Sequence, residues 1–483
     1  MQEVWSTSGL DLHLELSSSG GRRAALERSL REAIRAGRLV AGTRLPPTRA
    51  LSMELGMSRG TVSTAYDQLV AEGYLLARVG SGTVVADMSH LRVGTPTLPS
   101  TGDPPRYDLR PGQPDVTKFP VAAWLRSARR AITNARASVF DYGEPAGRIE
   151  LRAALSEYLG RTRGVLATPE QIVITTGYVQ ALALLTRVVD DEAAIAMENP
   201  GLPFHGDVVR RAGGRVVALG VDEMGARTDR LAMMDVTAAV LTPAHQYPLG
   251  MALHPQRRHA AIEWARSRGG LVVEDDYDGE FRYDRQPVGA MQGIAPDQVV
   301  YVGTASKTLG PALRLAWVVL PARLVEPFVD AKRHADLHSD TFSQLTLADL
   351  IATHAYDRHV RSSRLMYRRR RDLLVGRLAP LRHVTVEGVA AGLHAVVRMA
   401  EPQHVDAVLD EAPRHGLALD ELGPHWLGAG DRTRGIIVGY STPSAGTYPA
   451  ALDVLVRVLR TVDGMRSTSS ALTCRSRRVP FRR

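Results

Sequence analysis

The sequence predicts an α/β protein in two parts: a small helical domain closed by a β-hairpin, then a larger domain built around a mostly parallel sheet. Three observations predict it. Residues 1–86 carry short amphipathic helices and a pair of short strands. Residues 87–106 hold four prolines and two glycines with no helical or strand period, the mark of a linker. Residues 107–463 alternate apolar runs of strand length with helical stretches, the rhythm of an α/β sheet.

Composition bounds what such a chain can do. Its 483 residues are 44% hydrophobic and 23% charged, an ordinary globular balance. Apolar runs such as Leu315–Leu320 fall far short of the ~20 residues of a membrane span, so no membrane partner is expected. The N-terminal residues lack the pattern of a secretory signal, and a cytoplasmic location is expected. A single cysteine, Cys474, excludes an intrachain disulfide and a cysteine-based metal cluster. The net charge is +9, but the last 20 residues contribute six arginines and no acid, leaving +3 for the rest. Segment 464–483 therefore reads as a basic, disordered tail, and bulk charge does not by itself select nucleic acid.

In the first part, Leu26, Leu30 and Ile34 recur at helical spacing, and that helix ends near Gly37. Thr48 can cap a short helix through Leu55, and Gly56 supplies a turn. Ser58 then caps a helix with Val62, Tyr66 and Leu69 as its buried stripe. Two short helices across a glycine turn form the helix-turn-helix pattern. Tyr74–Arg78 and Val84-Val85, around Val79-Gly-Ser-Gly-Thr83, read as a two-stranded wing. In such a motif the start of the second helix reaches base edges, which makes Ser58, Arg59 and Thr61 candidates. Arg49, in the first turn of the preceding helix, suits phosphate, and Arg78, Ser81 and Thr83 place donors on the wing. Residues 1–86 balance ten arginines against eight acids, so placement alone supports DNA; the alternative is a structural hairpin with a solvated arginine face.

In the second part, candidate strands are Gln171–Thr175, Ala193–Met197, Arg215–Val221, Ala238–Thr242, Leu271–Asp275, Val299–Gly303 and Leu315–Leu320, with helices such as Val179–Val189 and Pro255–Arg268 between them. Segment 350–463 reads as a smaller α+β domain. Ligands of such sheets sit at the carboxyl ends of strands. Only three lysines exist, so chemistry needing an amine nucleophile has three candidates. Lys118 and Lys332 have the look of surface amines. Lys307 follows a strand, with Thr304 and Arg314 near enough to serve a phosphate. Glu274-Asp275-Asp276-Tyr277 ends an apolar strand with a carboxylate cluster, suited to a metal, to acid–base work or to a cationic heterocycle; no histidine is close in sequence. A pyridinium nitrogen wants one buried carboxylate and its ring hydroxyl a phenol. Thr175-Thr-Gly-Tyr-Val-Gln180 is a strand, a glycine and a helix start, whose amides suit phosphate. Together these residues describe a pyridoxal 5'-phosphate (PLP) site. The run Tyr367-Arg-Arg-Arg-Arg371 reads as a solvated helix face, and most histidines other than His245 and His394 as polar surface.

Two resemblances add to this reading. Leu45-Pro-Pro-Thr-Arg49, Leu55-Gly-Met-Ser-Arg59, Ala71-Glu-Gly-Tyr74 and Gly80-Ser-Gly-Thr83 resemble the winged helix-turn-helix of GntR-type bacterial regulators. That likeness implies a dimer on a repeated operator, with Arg49 on phosphate and the Ser58–Thr61 turn on bases. Tyr142-Gly-Glu-Pro-Ala-Gly147, Ile174-Thr-Thr-Gly177, Glu198-Asn-Pro-Gly201, Thr242–Gly250, Glu274–Tyr277 and Ser306-Lys307 resemble fold-type-I aminotransferases. The versions His245-Gln-Tyr-Pro and Glu274-Asp-Asp-Tyr-Asp-Gly-Glu-Phe-Arg-Tyr283 are similar to the MocR/GabR regulators, which carry this domain behind a GntR-type winged helix.

The second resemblance implies Lys307 as the Schiff-base lysine, Asp275 on the pyridine nitrogen and Tyr277 on the ring hydroxyl. Thr304, Arg314 and the amides of Tyr178 and Val179 would hold phosphate, with Tyr142 supplied by the partner of a domain-swapped homodimer. The function it implies is a regulator that binds operator DNA and senses PLP itself, an amine or an amino acid; the alternative is a working aminotransferase with a DNA-binding appendage. The chain departs from the family pattern at Val179, often Gln, and at Leu202, where a ring-stacking Tyr is usual and Phe204 is the candidate replacement. Ile437 stands where the arginine for a substrate carboxylate would be, with Arg432 and Arg434 close in sequence.

Overall fold

The computed structural model describes residues 21–78, 82–87, 103–190, 192–283, 288–401, 403–428 and 433–475. They fall into two compact units divided between Gly102 and Asp103, inside the segment read as a linker.

The first unit holds helices α1 (Arg22–Arg35), α2 (Thr48–Glu54) and α3 (Arg59–Ala71), then strands β1 (Leu75–Arg78) and β2 (Gly82–Val85). Leu26, Leu30 and Ile34 from α1, Leu51 from α2, and Val62, Tyr66 and Leu69 from α3 close into one core. The α2–α3 turn needs Gly56, whose φ of 58° lies in the left-handed region. Ser58 caps α3, its Oγ accepting from the Thr61 amide at 3.1 Å. The wing strands pair antiparallel, with Leu75 opposite Val85 and Arg78 opposite Gly82. The Tyr66 hydroxyl donates to the Pro46 carbonyl at 3.0 Å, fixing the entry to α2.

The second unit begins with β3 (Tyr107–Asp108), α4 (Val121–Thr133) and α5 (Ile149–Arg163). A sheet segment follows: β4 (Ile172–Thr175), α6 (Tyr178–Val189), β5 (Ala194–Asn199), α7 (Pro203–Arg211), β6 (Arg215–Asp222), β7 (Gly225–Ala226), β8 (Ala238–Leu241), α8 (Pro255–Arg268), β9 (Leu271–Asp276), β10 (Val299–Thr304) and β11 (Ala316–Val319). The order across the sheet is β4-β11-β10-β9-β8-β5-β6-β7. The run from β10 through β9, β8 and β5 to β6 is parallel, while β11 lies antiparallel between β10 and β4. Strands β4, β8, β9, β10 and β11 are buried along their whole length, as a sheet covered on both faces requires. That double covering is why these strands read as unbroken apolar runs.

Helices α9 (Ala322–Asp336), α10 (Thr341–Ala352) and α11 (Ala355–Leu378) lead into an antiparallel sheet of order β12-β13-β16-β15, formed by β12 (Val384–Glu387), β13 (His394–Met399), β15 (Asp420–Glu421) and β16 (Ile436–Gly439). Helix α12 (His404–Glu411), strand β14 (Leu417–Ala418) and helix α13 (Tyr448–Arg475) complete this region. Strand β3 pairs with β14, and Leu109 joins the same core, so the stretch after the linker belongs in space with the C-terminal subdomain. Helix α13 continues past residue 463, where the sequence predicts the start of a disordered tail; no proline occurs before Pro480 to break it. The run 367–371 also differs from a simple solvated face. Arg370 is buried, paired with Asp115 at 2.6 Å and bonded to the carbonyls of Tyr440, Ser441 and Pro443. Tyr367 is buried with it, while Arg368 and Arg369 face solvent.

Candidate functional site

The carboxyl ends of β4, β5, β8, β9 and β10 open into one cavity of about 370 Å³ in the second unit. Lys307, Asp275, Tyr277, Tyr178, Val179, Thr304 and Arg314 all line it. Lys307 follows β10, and its Nζ donates to the Gly112 carbonyl at 2.5 Å. Burial lowers the lysine pKa, which raises the fraction carrying a free lone pair; Asp278 and Asp275 oppose the shift.

Strand β9 explains the three successive acids. Side chains alternate along a strand, so Asp275 faces the cavity while its neighbours turn away. Glu274 accepts from the amides of Met291 and Gln292 at 3.0 and 3.1 Å. Asp276 receives Arg163 at 2.6 and 2.8 Å and the Tyr301 hydroxyl at 2.7 Å. Asp275 Oδ1 is buried without a hydrogen-bond partner, and burial lifts its pKa to about 8. The Tyr178 side chain beside it lowers that pKa in part; a buried carboxylate with one oxygen unpartnered is complementary to a cationic ring nitrogen. The metal reading of the cluster loses its geometric basis, because the three acids diverge; no metal-ligand cluster occurs among the described residues.

At the far end of the cavity, helix α6 starts at Tyr178 after Gly177, which brings no side chain to cap it. A Cβ on Gly177 would meet Arg314 Nη2 at 2.7 Å, so the glycine leaves room for the guanidinium at the helix start. Thr304 Oγ1 is tied to the Leu315 carbonyl at 3.2 Å and to the Ser306 amide at 3.1 Å. The Tyr277 hydroxyl lies 3.1 Å from His245 Nδ1, which also contacts Asp278 Oδ2 at 2.9 Å. Tyr142 stands apart from the cavity, 80% exposed in the single chain.

In the first unit, Arg49, Ser58 and Arg59 are exposed and Thr61 and Thr83 half-buried. Ser58 Oγ and Thr61 Oγ1 lie 2.8 Å apart, so these two hydroxyls serve the helix cap before any outside partner. Arg78 ends β1, and Ser81 lies outside the described residues.

Comparison with known proteins places both units. Residues 22–85 match the model of the bacterial regulatory proteins of the gntR family, and residues 107–413 that of class I and II aminotransferases. The chain is 32% identical over 426 residues to the pyridoxine biosynthesis transcriptional regulator PdxR of Corynebacterium glutamicum, covering 87% of this chain and 92% of that one. It is 33% identical to a probable rhizopine catabolism regulatory protein, MocR of Rhizobium meliloti, covering 92% and 94%. The chain belongs to the MocR-type transcriptional regulators. Its second unit shares the fold of the α-aminoadipate aminotransferase LysN of Thermus thermophilus (TM-score 0.66, 24% identity, 74% of this chain and 93% of that one). No helix among the described residues is long and apolar enough to cross a membrane.

Against the MocR-type pattern, the structure corrects several expectations. Phe204 is not the aromatic group of the cavity; it points outward at 57% exposure. The next residue of α7 lines the cavity instead. His205 packs on Tyr178 with ring centroids 4.6 Å apart, and burial together with Lys307 lowers its pKa to about 4. Lys332 is not a surface amine. It is fully buried and bonded to Asp336 at 2.6 Å, and Asp336 holds Gln180, whose Oε1 accepts from the Thr176 amide. That chain braces the turn before α6. Ile437 is buried among Leu249, Val396 and Leu422, and contributes no cation. Arg434 is occupied by Asp406 and Glu421, and Arg432 lies outside the described residues.

Sequence reasoning missed Glu198, Tyr247 and Asp420, which also line the cavity. Glu198 is lifted to about 7 by burial and bonded to Thr242 and Gln246. Its place in the motif Glu198-Asn-Pro-Gly201 was the available signal.

Proposed function

We propose that this MocR-type regulator holds PLP in the second unit and reads a small amine at the same cavity, the occupied and empty forms differing in their action on operator DNA. The observation that carries the reading is the convergence on one cavity of an amine with a lowered pKa, a buried carboxylate whose Oδ1 has no hydrogen-bond partner and a guanidinium beside a helix start. When bound, PLP supplies an aldehyde carbon that condenses reversibly with primary amines.

Lys307 provides the protein's own amine, held by the Gly112 carbonyl. Asp275 would accept from the ring nitrogen and keep it protonated, and Tyr277 would meet the ring oxygen. Arg314, Thr304 and the amides of Tyr178 and Val179 would hold phosphate, the guanidinium and helix start supplying charge. The missing cation at Ile437 favours a sensor over an amino-acid transaminase. A homodimer is supported by apolar side chains left exposed on the second unit, among them Leu125, Phe140 and Phe342, the last two with rings 5.9 Å apart. On this reading Tyr142 reaches the partner's cavity. In the first unit, Arg59 would read a base edge and Arg49 a phosphate.

Borohydride reduction of the PLP-loaded chain, followed by peptide mapping, tests the assignment. A pyridoxyl group is expected on Lys307 alone and absent from Lys307→Ala; a label on Lys118 or Lys332, or on none, overturns it.

A further inference from the structure

Part of the cavity wall comes from the C-terminal subdomain, and its chemistry is one-sided. Asp420 of β15 lines it, half-buried, with Oδ1 accepting from the Glu421 amide at 3.1 Å. Across the strand pair Asp420 stands directly opposite Ile437, so the position facing this apolar residue carries a negative charge. Among the described residues no cation pairs with Asp420. Arg110 is near enough to feel it electrostatically, but its guanidinium is committed to a bidentate bond with Asp108 at 2.9 and 2.7 Å. Arg434 is held by Asp406 and Glu421. The cationic side chains lining the cavity are Lys307 and Arg314, and both are assigned above to PLP.

Beside Asp420 the wall also presents acceptors. His425 Nδ1 lies 3.0 Å from the Glu421 carbonyl, which can only accept, so the hydrogen sits on Nδ1. Burial lowers the pKa of His425, opposed by the nearby Asp420 and by the hydrogen bonds to the Glu421 and Leu422 backbone. Its Nε2 then accepts from the Tyr247 hydroxyl at 3.3 Å, and the phenol oxygen is left offering lone pairs. His394 obeys the same logic: Nε2 donates to the Pro248 carbonyl at 3.0 Å, and the neutral ring keeps Nδ1 as an acceptor.

We infer that Asp420 and the Tyr247 oxygen form the specificity wall of the sensing cavity, selecting a ligand with a second ammonium group and rejecting one with a carboxylate. The ligand class is thus a diamine: one amine for the aldehyde, the other for Asp420. This rests on the PLP reading above. A carboxylate would meet Asp420 as a like charge with no cation to offset it. A charge-assisted contact of this kind is worth about 10- to 100-fold in affinity.

The test uses the full-length PLP-loaded chain, with reduction and mapping of Lys307 done on a separate sample and the titrations on unreduced protein. Loss of the Lys307 label would remove the PLP reading itself, whichever amine the cavity prefers. Calorimetric titration then compares 1,4-diaminobutane with 4-aminobutanoate, two probes of matched length, and the melting temperature provides a second readout. The diamine is expected to bind at least about 10-fold more tightly, and Asp420→Asn or Asp420→Ser to reduce that preference below about threefold. Equal or tighter binding of 4-aminobutanoate, binding of neither probe, or a preference unchanged in both variants would overturn the inference. The wild-type comparison decides even where a variant fails to fold.

Discussion

In the winged-helix unit the groups expected to touch DNA stand on the surface above a dry core, whereas in the aminotransferase-like unit the groups around the cavity are themselves buried. Arg49, Ser58 and Arg59 are exposed, while Asp275, Glu198 and Thr304 are buried. The difference separates recognition from stability in the first unit and couples them in the second. A surface arginine can be removed without cost to its domain. A buried carboxylate is stabilising only when its ligand is present, and costs stability when it is not.

The largest effect that would break this contrast is in the core of the small unit. Leu69 is fully buried among residues of all three helices. Leu69→Ala should cost about 2–5 kcal/mol of that unit's stability, seen as a lower-temperature transition in calorimetry, with operator binding lost. PLP incorporation at Lys307 should persist; its loss would show that the two units do not fold separately.

Asp275 sharpens the contrast from the other side. Its carboxyl, lifted to about 8 in the cavity, stays protonated in the folded chain while the unfolded chain ionises near 4. Stability of the PLP-free protein should therefore fall as pH rises from about 4 to 8. Glu198, Glu274 and Glu280, each lifted to about 7, add to the same slope, so Asp275→Asn should reduce it, most of all between pH 7 and 8, and raise PLP-free stability at pH 8 by a few kcal/mol, while weakening PLP. An unchanged pH profile of the melting temperature would contradict the buried-charge account.

Arg59→Ala should weaken specific operator binding by about 1–3 kcal/mol and leave the melting temperature unchanged. Fluorescence anisotropy on labelled operator measures the first, calorimetry the second; a drop in both would make Arg59 structural. The smallest effect belongs to Ser58→Ala, which removes the α3 cap and should cost about 1 kcal/mol of stability. Should operator affinity fall by much more than that, Ser58 touches DNA as well as capping the helix.

The same contrast governs what can be read from the chain itself. Local rules sufficed for the small unit: a capping serine, a glycine turn and a 62–66–69 stripe each act within a few residues. The strands of the large sheet were legible because burial on both faces makes them apolar throughout, and Lys307 because only three lysines exist. What escaped depends on contacts distant in sequence. Asp420 enters the cavity on a two-residue strand with no pattern of its own, opposite a residue 17 positions away. His205 differs from Phe204 only by the rotation of one helical step. Lys332 looks charged and solvated until Asp336 and Gln180 are folded onto it.

Three consecutive acids at the end of β9 pose a problem of register that the fold answers by elimination. A strand that slips by one residue turns every side chain to the opposite face, and Glu274, Asp275 and Asp276 are too alike for burial preference alone to forbid the slip. Arg163 marks the correct frame. It reaches from the end of α5 to claim Asp276, and the Met291 and Gln292 amides claim Glu274 on the same side. Only one carboxylate is then left unclaimed. A strand shifted one way would set Val273 against the Met291 and Gln292 amides, and shifted the other way would set Tyr277 against the buried Arg163, so either slip leaves one buried partner unmatched. The contacts facing away from the cavity thereby proofread which acid faces into it.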